Sequence, residues 1–230
     1  MFKSVFSLTG AALVLSTSSL SGQVAPHYRD FALGSTLSTV SAQVKASAAD
    51  VKPVHQRPAL IQDLSWRAPY FAADSNEPRK DPVQQIVFSF YNDQLFRMAI
   101  DYDRQRTEGL TDADMIGALT EVYGTASTPK ARTPSMFVSL IDITSGTAVS
   151  QWGNAEYSVV LLRPSFGAGF QVVVTSTALD ALARKADAEA VRLDQRDAPL
   201  REIARQKQDA DDARASQEKA RTANKATFRP

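Results

Sequence analysis

One stretch limits the fold more than any other, residues 86–102, which read IVFSFYNDQLFRMAIDY. Ile86, Phe88 and Phe90 alternate with Val87, Ser89 and Tyr91. After Asn92 and Asp93 the alternation resumes with Phe96, Met98 and Ile100. Period two in two consecutive runs specifies a β-hairpin whose strands are each half-buried. Parity then bears on the turn. A two-residue loop pairs Tyr91 with Gln94 and sets Phe88 against Arg97. A three-residue loop over 92–94 pairs Phe90 with Phe96, Phe88 with Met98 and Ile86 with Ile100, and leaves Ser89 facing Arg97. Because a one-residue slip turns a whole strand over, the odd loop is expected.

The chain has 230 residues, enough for one or two domains, and a formal net charge of +1. That balance supplies no electrostatic pull toward nucleic acid or an anionic membrane. Cysteine is absent, which excludes disulfides, thiol nucleophiles, thiolate metal sites and a lipid-anchoring cysteine. His27 and His55 are the only histidines, so a multi-histidine metal centre is excluded as well.

Residues 1–25 read as a secretory signal. Lys3 precedes an apolar, Ser/Thr-diluted run over 5–20, and Ser19, Ser21 and Gly22 offer small residues for cleavage near Ser21. The run is too short for a comfortable membrane span. The mature protein is therefore expected to be periplasmic or secreted, with no stable membrane anchor after cleavage. Gly34 then leads to a capped helix over 36–48, with Leu37, Val40 and Val44 at helical spacing. Residues 51–55 contain Pro53 and can form at best an edge strand. Residues 59–66 form a strand ending on Trp66, and 67–82 a loop. Thr111 caps a helix over 111–123, with Asp112 and Asp114 in its first turn. Met115, Ile116, Leu119, Val122 and Tyr123 make its apolar stripe, and Gly124 stops it. Residues 136–143 suit either a strand or a short helix. Strands follow at 148–152, 157–163 and 170–175, with Tyr157, Val159 and Leu161 set against Phe170, Val172 and Val174.

The order helix, strand ending in tryptophan, two strands thus occurs twice. The fold class expected is α+β: two α-β-β-β units with antiparallel sheets, over 26–106 and 107–176, then a long C-terminal helical extension. From residue 177 the composition turns to Ala, Arg, Asp, Glu and Gln. A helix is expected over 177–222, kinked near Pro199, with 223–230 disordered. Its apolar stripe of Leu179, Leu182, Ala186, Ala190 and Leu193 thins after Ile203, too thin to specify a coiled coil.

The tandem order, with the lead-in Leu33-Gly34-Ser35-Thr36-Leu37-Ser38-Thr39-Val40, resembles the β-lactamase-inhibitor-protein-like fold. Small lipoproteins of bacterial outer-membrane assembly share that fold. The resemblance spans about residues 28–176 and implies a non-enzymatic envelope protein. The lipidation cysteine of those lipoproteins is missing here, and the C-terminal extension is foreign to the pattern.

No catalytic constellation emerges. Asp101, Asp103, Asp112 and Asp114 form two D-x-D pairs that could gather a hard cation, but they lack the glycine and terminal glutamate of an EF-hand. Strand-end and first-turn roles are the better explanation of all four. His27 and His55 stand apart from any nucleophile motif. Trp66, Trp152 and Tyr157 could line a partner surface, although core packing is the commoner fate of aromatic residues at strand ends. No cofactor and no metal are expected. The expected function is protein–protein contact in the bacterial envelope, with small-ligand or inhibitor-like binding on an open sheet face as the alternative.

Overall fold

The computed structural model describes residues 26–69, 80–129 and 146–229. The signal-like segment 1–25, most of the loop expected at 67–82 and the ambiguous stretch 136–143 lie wholly or largely outside these residues. A two-strand ribbon, β1 (His27–Tyr28) and β2 (Phe31–Ala32), precedes helix α1 (Leu37–Val44). Strands β3 (Val51–His55), β4 (Ile61–Arg67), β5 (Val83–Tyr91) and β6 (Gln94–Tyr102) follow, then helix α2 (Asp112–Tyr123). Strands β7 (Gly146–Gly153), β8 (Tyr157–Pro164) and β9 (Phe170–Ser176) lead into α3 (Thr177–Thr227).

The two groups of strands merge into one antiparallel sheet of seven, in the order β3-β4-β5-β6-β9-β8-β7. The join is β6 against β9, with Met98 opposite Val174 and Ile100 opposite Val172. β3, with Pro53, lies at one edge, where a missing amide hydrogen costs nothing to the ladder.

Register makes the first face of this sheet a continuous apolar floor. Leu64, Phe88, Met98, Val174, Val159 and Trp152 form one row across six strands. Trp66, Ile86, Ile100, Val172 and Leu161 form the next. Each apolar cross-strand pair contributes roughly 0.2–1 kcal/mol beyond alanine. Val40 of α1 and Met115 and Leu119 of α2 close over this floor. Both helices start where the sequence placed them. Thr36 accepts from the Thr39 amide, and Thr111 and Asp114 make a reciprocal capping box. Val122, expected in the α2 stripe, is instead exposed.

The hairpin turn departs from expectation. Ile86–Ile100, Phe88–Met98 and Ser89–Arg97 pair as parity requires, but Phe90 meets Leu95 and Tyr91 meets Gln94. The loop is therefore two residues, Asn92 and Asp93, both at positive φ (46° and 67°) as a type I′ turn demands. A β-bulge absorbs the odd residue, which is Phe96. Leu95 thereby joins Phe90 in the first-face core, and Phe96 turns to the second face.

α3 is one helix of 51 residues that includes Pro199 and runs to Thr227, past the expected end at 222 and into the segment expected to be disordered. At 1.5 Å per residue its length is roughly 75 Å.

Candidate interaction surfaces

The three aromatic residues singled out above do not form one surface. Trp152 is 1% exposed, and its indole Nε1 donates to Thr120 Oγ1 of α2 at 3.1 Å. Trp66 and Tyr157 are half-buried against the same first-face core. They lie on β4 and β8, four strand spacings or about 19 Å apart. The aspartates likewise serve separate purposes. Asp101 accepts from Gln171 Nε2 at 2.7 Å, and Asp103 accepts from the Arg106 amide. Asp112 pairs with Arg163 at 2.7 Å, and Asp114 closes the α2 capping box. Among the described residues no three His, Asp or Glu side chains are grouped to hold a metal ion.

The second face of the sheet is mixed in character. One row reads Asp63, Ser89, Arg97, Thr175 and Ser158 across five strands. The next reads Ser65, Val87, Ala99, Val173 and Val160, and a third Arg67, Gln85, Asp101, Gln171 and Leu162. Neighbours in the polar rows are bonded: Ser89 to Asp63, Arg67 Nε to Gln85 Oε1 at 3.0 Å, and Gln171 to Asp101. Burial pushes the Asp63 carboxyl above its ordinary range, against the pull of the Ser89 bond and of Arg97. Asp101 is pushed the same way by burial, with Gln171 opposing. The polar and apolar rows thus alternate along this one face, two residues apart on each strand.

The first turns of α3 cross one end of this face. Ala183 and Ala186, backed by Leu179, pack on Ala59, Ile61 and Phe96, with Val54 and Tyr91 alongside. Small side chains let the helix approach closely, and the bulge supplies Phe96, which fills the gap beside Ile61. A polar contact completes the seat: His55 Nε2 lies 2.8 Å from Asp187 Oδ1, with both side chains about nine-tenths buried. No local spacing in the sequence links His55 to this partner, which lies 132 positions away. Farther along, Arg57 reaches Asp197 at 2.7 Å, and that bond is the first cause of the lowered Asp197 carboxyl.

Beyond this seat α3 stands clear. Every residue from 198 to 229 is exposed, including Leu200, Ile203 and Phe228. Ion pairs three residues apart, Glu202–Arg205, Asp211–Arg214 and Glu218–Arg221, lie along it. Each is worth only a few tenths of a kcal/mol, roughly 0.2–0.5. No described helix is long and apolar enough to cross a membrane.

A hollow of about 700 Å³ opens at the other end of the sheet, between the 103–110 turn and the 164–169 loop. Gly169 lies so close to Thr107 that a Cβ there would run into the threonine hydroxyl, so the two loops are in contact at the floor. Arg163 lies over Phe170 with its Cζ 3.8 Å from the ring centroid, and is tied to Asp112.

No family model matches the chain, and comparison with curated proteins and with solved structures finds no match either.

Proposed function

We propose that this is a non-enzymatic secreted or periplasmic protein that acts by protein–protein contact, with the projecting part of α3 as its contact element. The observation that carries this reading is the exposure of every residue from 198 to 229 on a helix whose first turns are firmly seated. Nothing in the described fold needs that length. Weak surface ion pairs give a lone helix little reason to persist, whereas a partner packed along it does. The apolar segment over 5–20, preceded by Lys3 and followed by small residues, supports export. The α-β-β-β order of α1 with β4–β6 and of α2 with β7–β9 reads as an internal duplication, with β3 added at the edge of the first unit. Its motive is that β6 and β9, the last strand of each unit, pair antiparallel, which is the arrangement a two-fold axis gives.

The test is a photocrosslinking residue placed at Ile203, Ala213 or Ala220 of the full chain in living cells, with the exposed Val122 as control. Adducts at the helix positions alone support the reading. Adducts at neither, or equally at both, remove it. Amino-terminal sequencing of the exported protein tests the cleavage near Ser21.

A second reading has its own motive. Beside the α3 seat, Val87, Ala99 and Val160 are half-buried between two polar rows of the second face. That strip suits inhibitor-like binding to an extended segment. Val87→Lys would abolish such binding and leave helix crosslinks unchanged.

A further inference from the structure

The hollow between the 103–110 turn and the 164–169 loop carries a more specific chemistry. Its charged lining residues are Arg104, Glu108 and Arg163. Arg163 is occupied by Asp112 and by the Phe170 ring. Arg104 and Glu108 are not: neither makes an ion pair or side-chain hydrogen bond with a described residue. Both residues stand on the 103–110 turn, where the Glu108 amide donates to the Gln105 carbonyl, and both line the hollow. Opposite charges thus border the same space without an ion pair between them. Leu110 and Phe166 stand at its rim, 43% and 88% exposed. A volume of about 700 Å³ lies within the ordinary range of small-molecule sites.

We infer that this hollow binds a free α-amino acid with a large apolar or aromatic side chain. The carboxylate meets Arg104, the ammonium meets Glu108, and the side chain lies against Phe166 and Leu110. A simple anion would engage Arg104 alone and a simple cation Glu108 alone, whereas a zwitterion engages both. A peptide carries its two end charges too far apart to meet both. This activity is separate from the contact surface on α3 and does not depend on it.

The experiment is calorimetric titration of the full chain with L-phenylalanine, N-acetyl-phenylalanine, phenylalaninamide and L-alanine. The protein variants are Arg104→Gln, Glu108→Gln and Phe166→Ala, each checked for folding by circular dichroism. Phenylalanine is expected to bind saturably. The acetylated and amidated probes each lose about tenfold or more, the scale of one charged hydrogen bond. Alanine binds more weakly than phenylalanine, and Phe166→Ala removes that difference. Glu108→Gln abolishes discrimination against the acetylated probe, and Arg104→Gln abolishes discrimination against the amide. Absence of saturable phenylalanine binding overturns the inference. So does phenylalanine binding that neither charge variant weakens, and so does acetylated probe binding as tightly as the free amino acid, which marks a plain anion site.

Discussion

Phe88 and Phe96 belong to one hairpin, are both without exposed surface, and sit in different cores. Phe88 lies in the middle of a six-strand apolar row roofed by α1 and α2. Phe96, thrown to the other side by the bulge, meets a helix that offers alanines and one buried aspartate. The first face is held by area, large side chains meeting large side chains on every strand. The second is held at one end only, by close approach and a His–Asp contact. Its remaining rows are part polar. Stability of the domain is therefore concentrated on one face, and attachment of α3 on the other.

The sharpest way to break this contrast is Phe88→Ala. It opens a cavity at the centre of the larger core and is expected to cost roughly 3–5 kcal/mol. Urea denaturation should show the whole cooperative transition moving. A shift below about 1 kcal/mol would mean that the first face is not where stability resides.

Phe96→Ala should act differently. The loss is expected near about 3 kcal/mol, because a helix seated on alanines can settle into part of the space. Hydrogen exchange should rise over 177–193 while β5, β6 and β9 keep their protection. Uniform loss of protection would show that the two cores are one unit.

Asp187→Ala removes the partner of His55 inside the seat and should cost roughly 1–3 kcal/mol. The increase in exchange should be confined to α3 and β3. A change spread over the first face would contradict the division.

The smallest effect concerns pH. Burial raises the Asp101 carboxyl in the fold above its unfolded value. The fold then favours the protonated form, so its contribution is full at acid pH and lost as pH rises through the raised value. Asp101→Asn keeps an oxygen to accept from Gln171 and removes the charge. The variant should be slightly more stable than the parent at neutral pH, with the difference vanishing below the ordinary carboxylate range. Denaturation curves at pH 3 and pH 7 check the sign. A variant less stable at neutral pH would mean that the charge is compensated.

Much of the fold was legible residue by residue. The caps at Thr36 and Thr111 followed from local hydrogen-bond needs. The Phe88–Met98 and Ile86–Ile100 pairs followed from parity. Parity also put Tyr157, Val159 and Leu161 on one face with Phe170, Val172 and Val174, but the register differs by two residues from setting those three against three: Tyr157 meets Ser176, Val159 meets Val174 and Leu161 meets Val172. Parity predicts a three-residue turn only where alternation holds from end to end of the strand, and here it does not. A bulge lets one residue change face without disturbing the rest, and nothing in the spelling of Leu95-Phe96 announces it. The candidate sites were less legible. His55 and Asp187 carry no mutual spacing signal, and Arg104 and Glu108 look like ordinary loop charges until the 164–169 loop is set beside them.

What the sequence determined by itself was local: period-two strands, capped helices, an edge strand at Pro53 and a composition change at residue 177. These rest on interactions within a few residues of each other, which a linear reading can count. Only the tertiary structure decided that both groups of strands join through β6 and β9, that Phe96 anchors α3, and that α3 runs on past its seat into solvent. Those outcomes depend on register and packing between distant segments, where many arrangements share the same local pattern and the burial of whole faces selects among them.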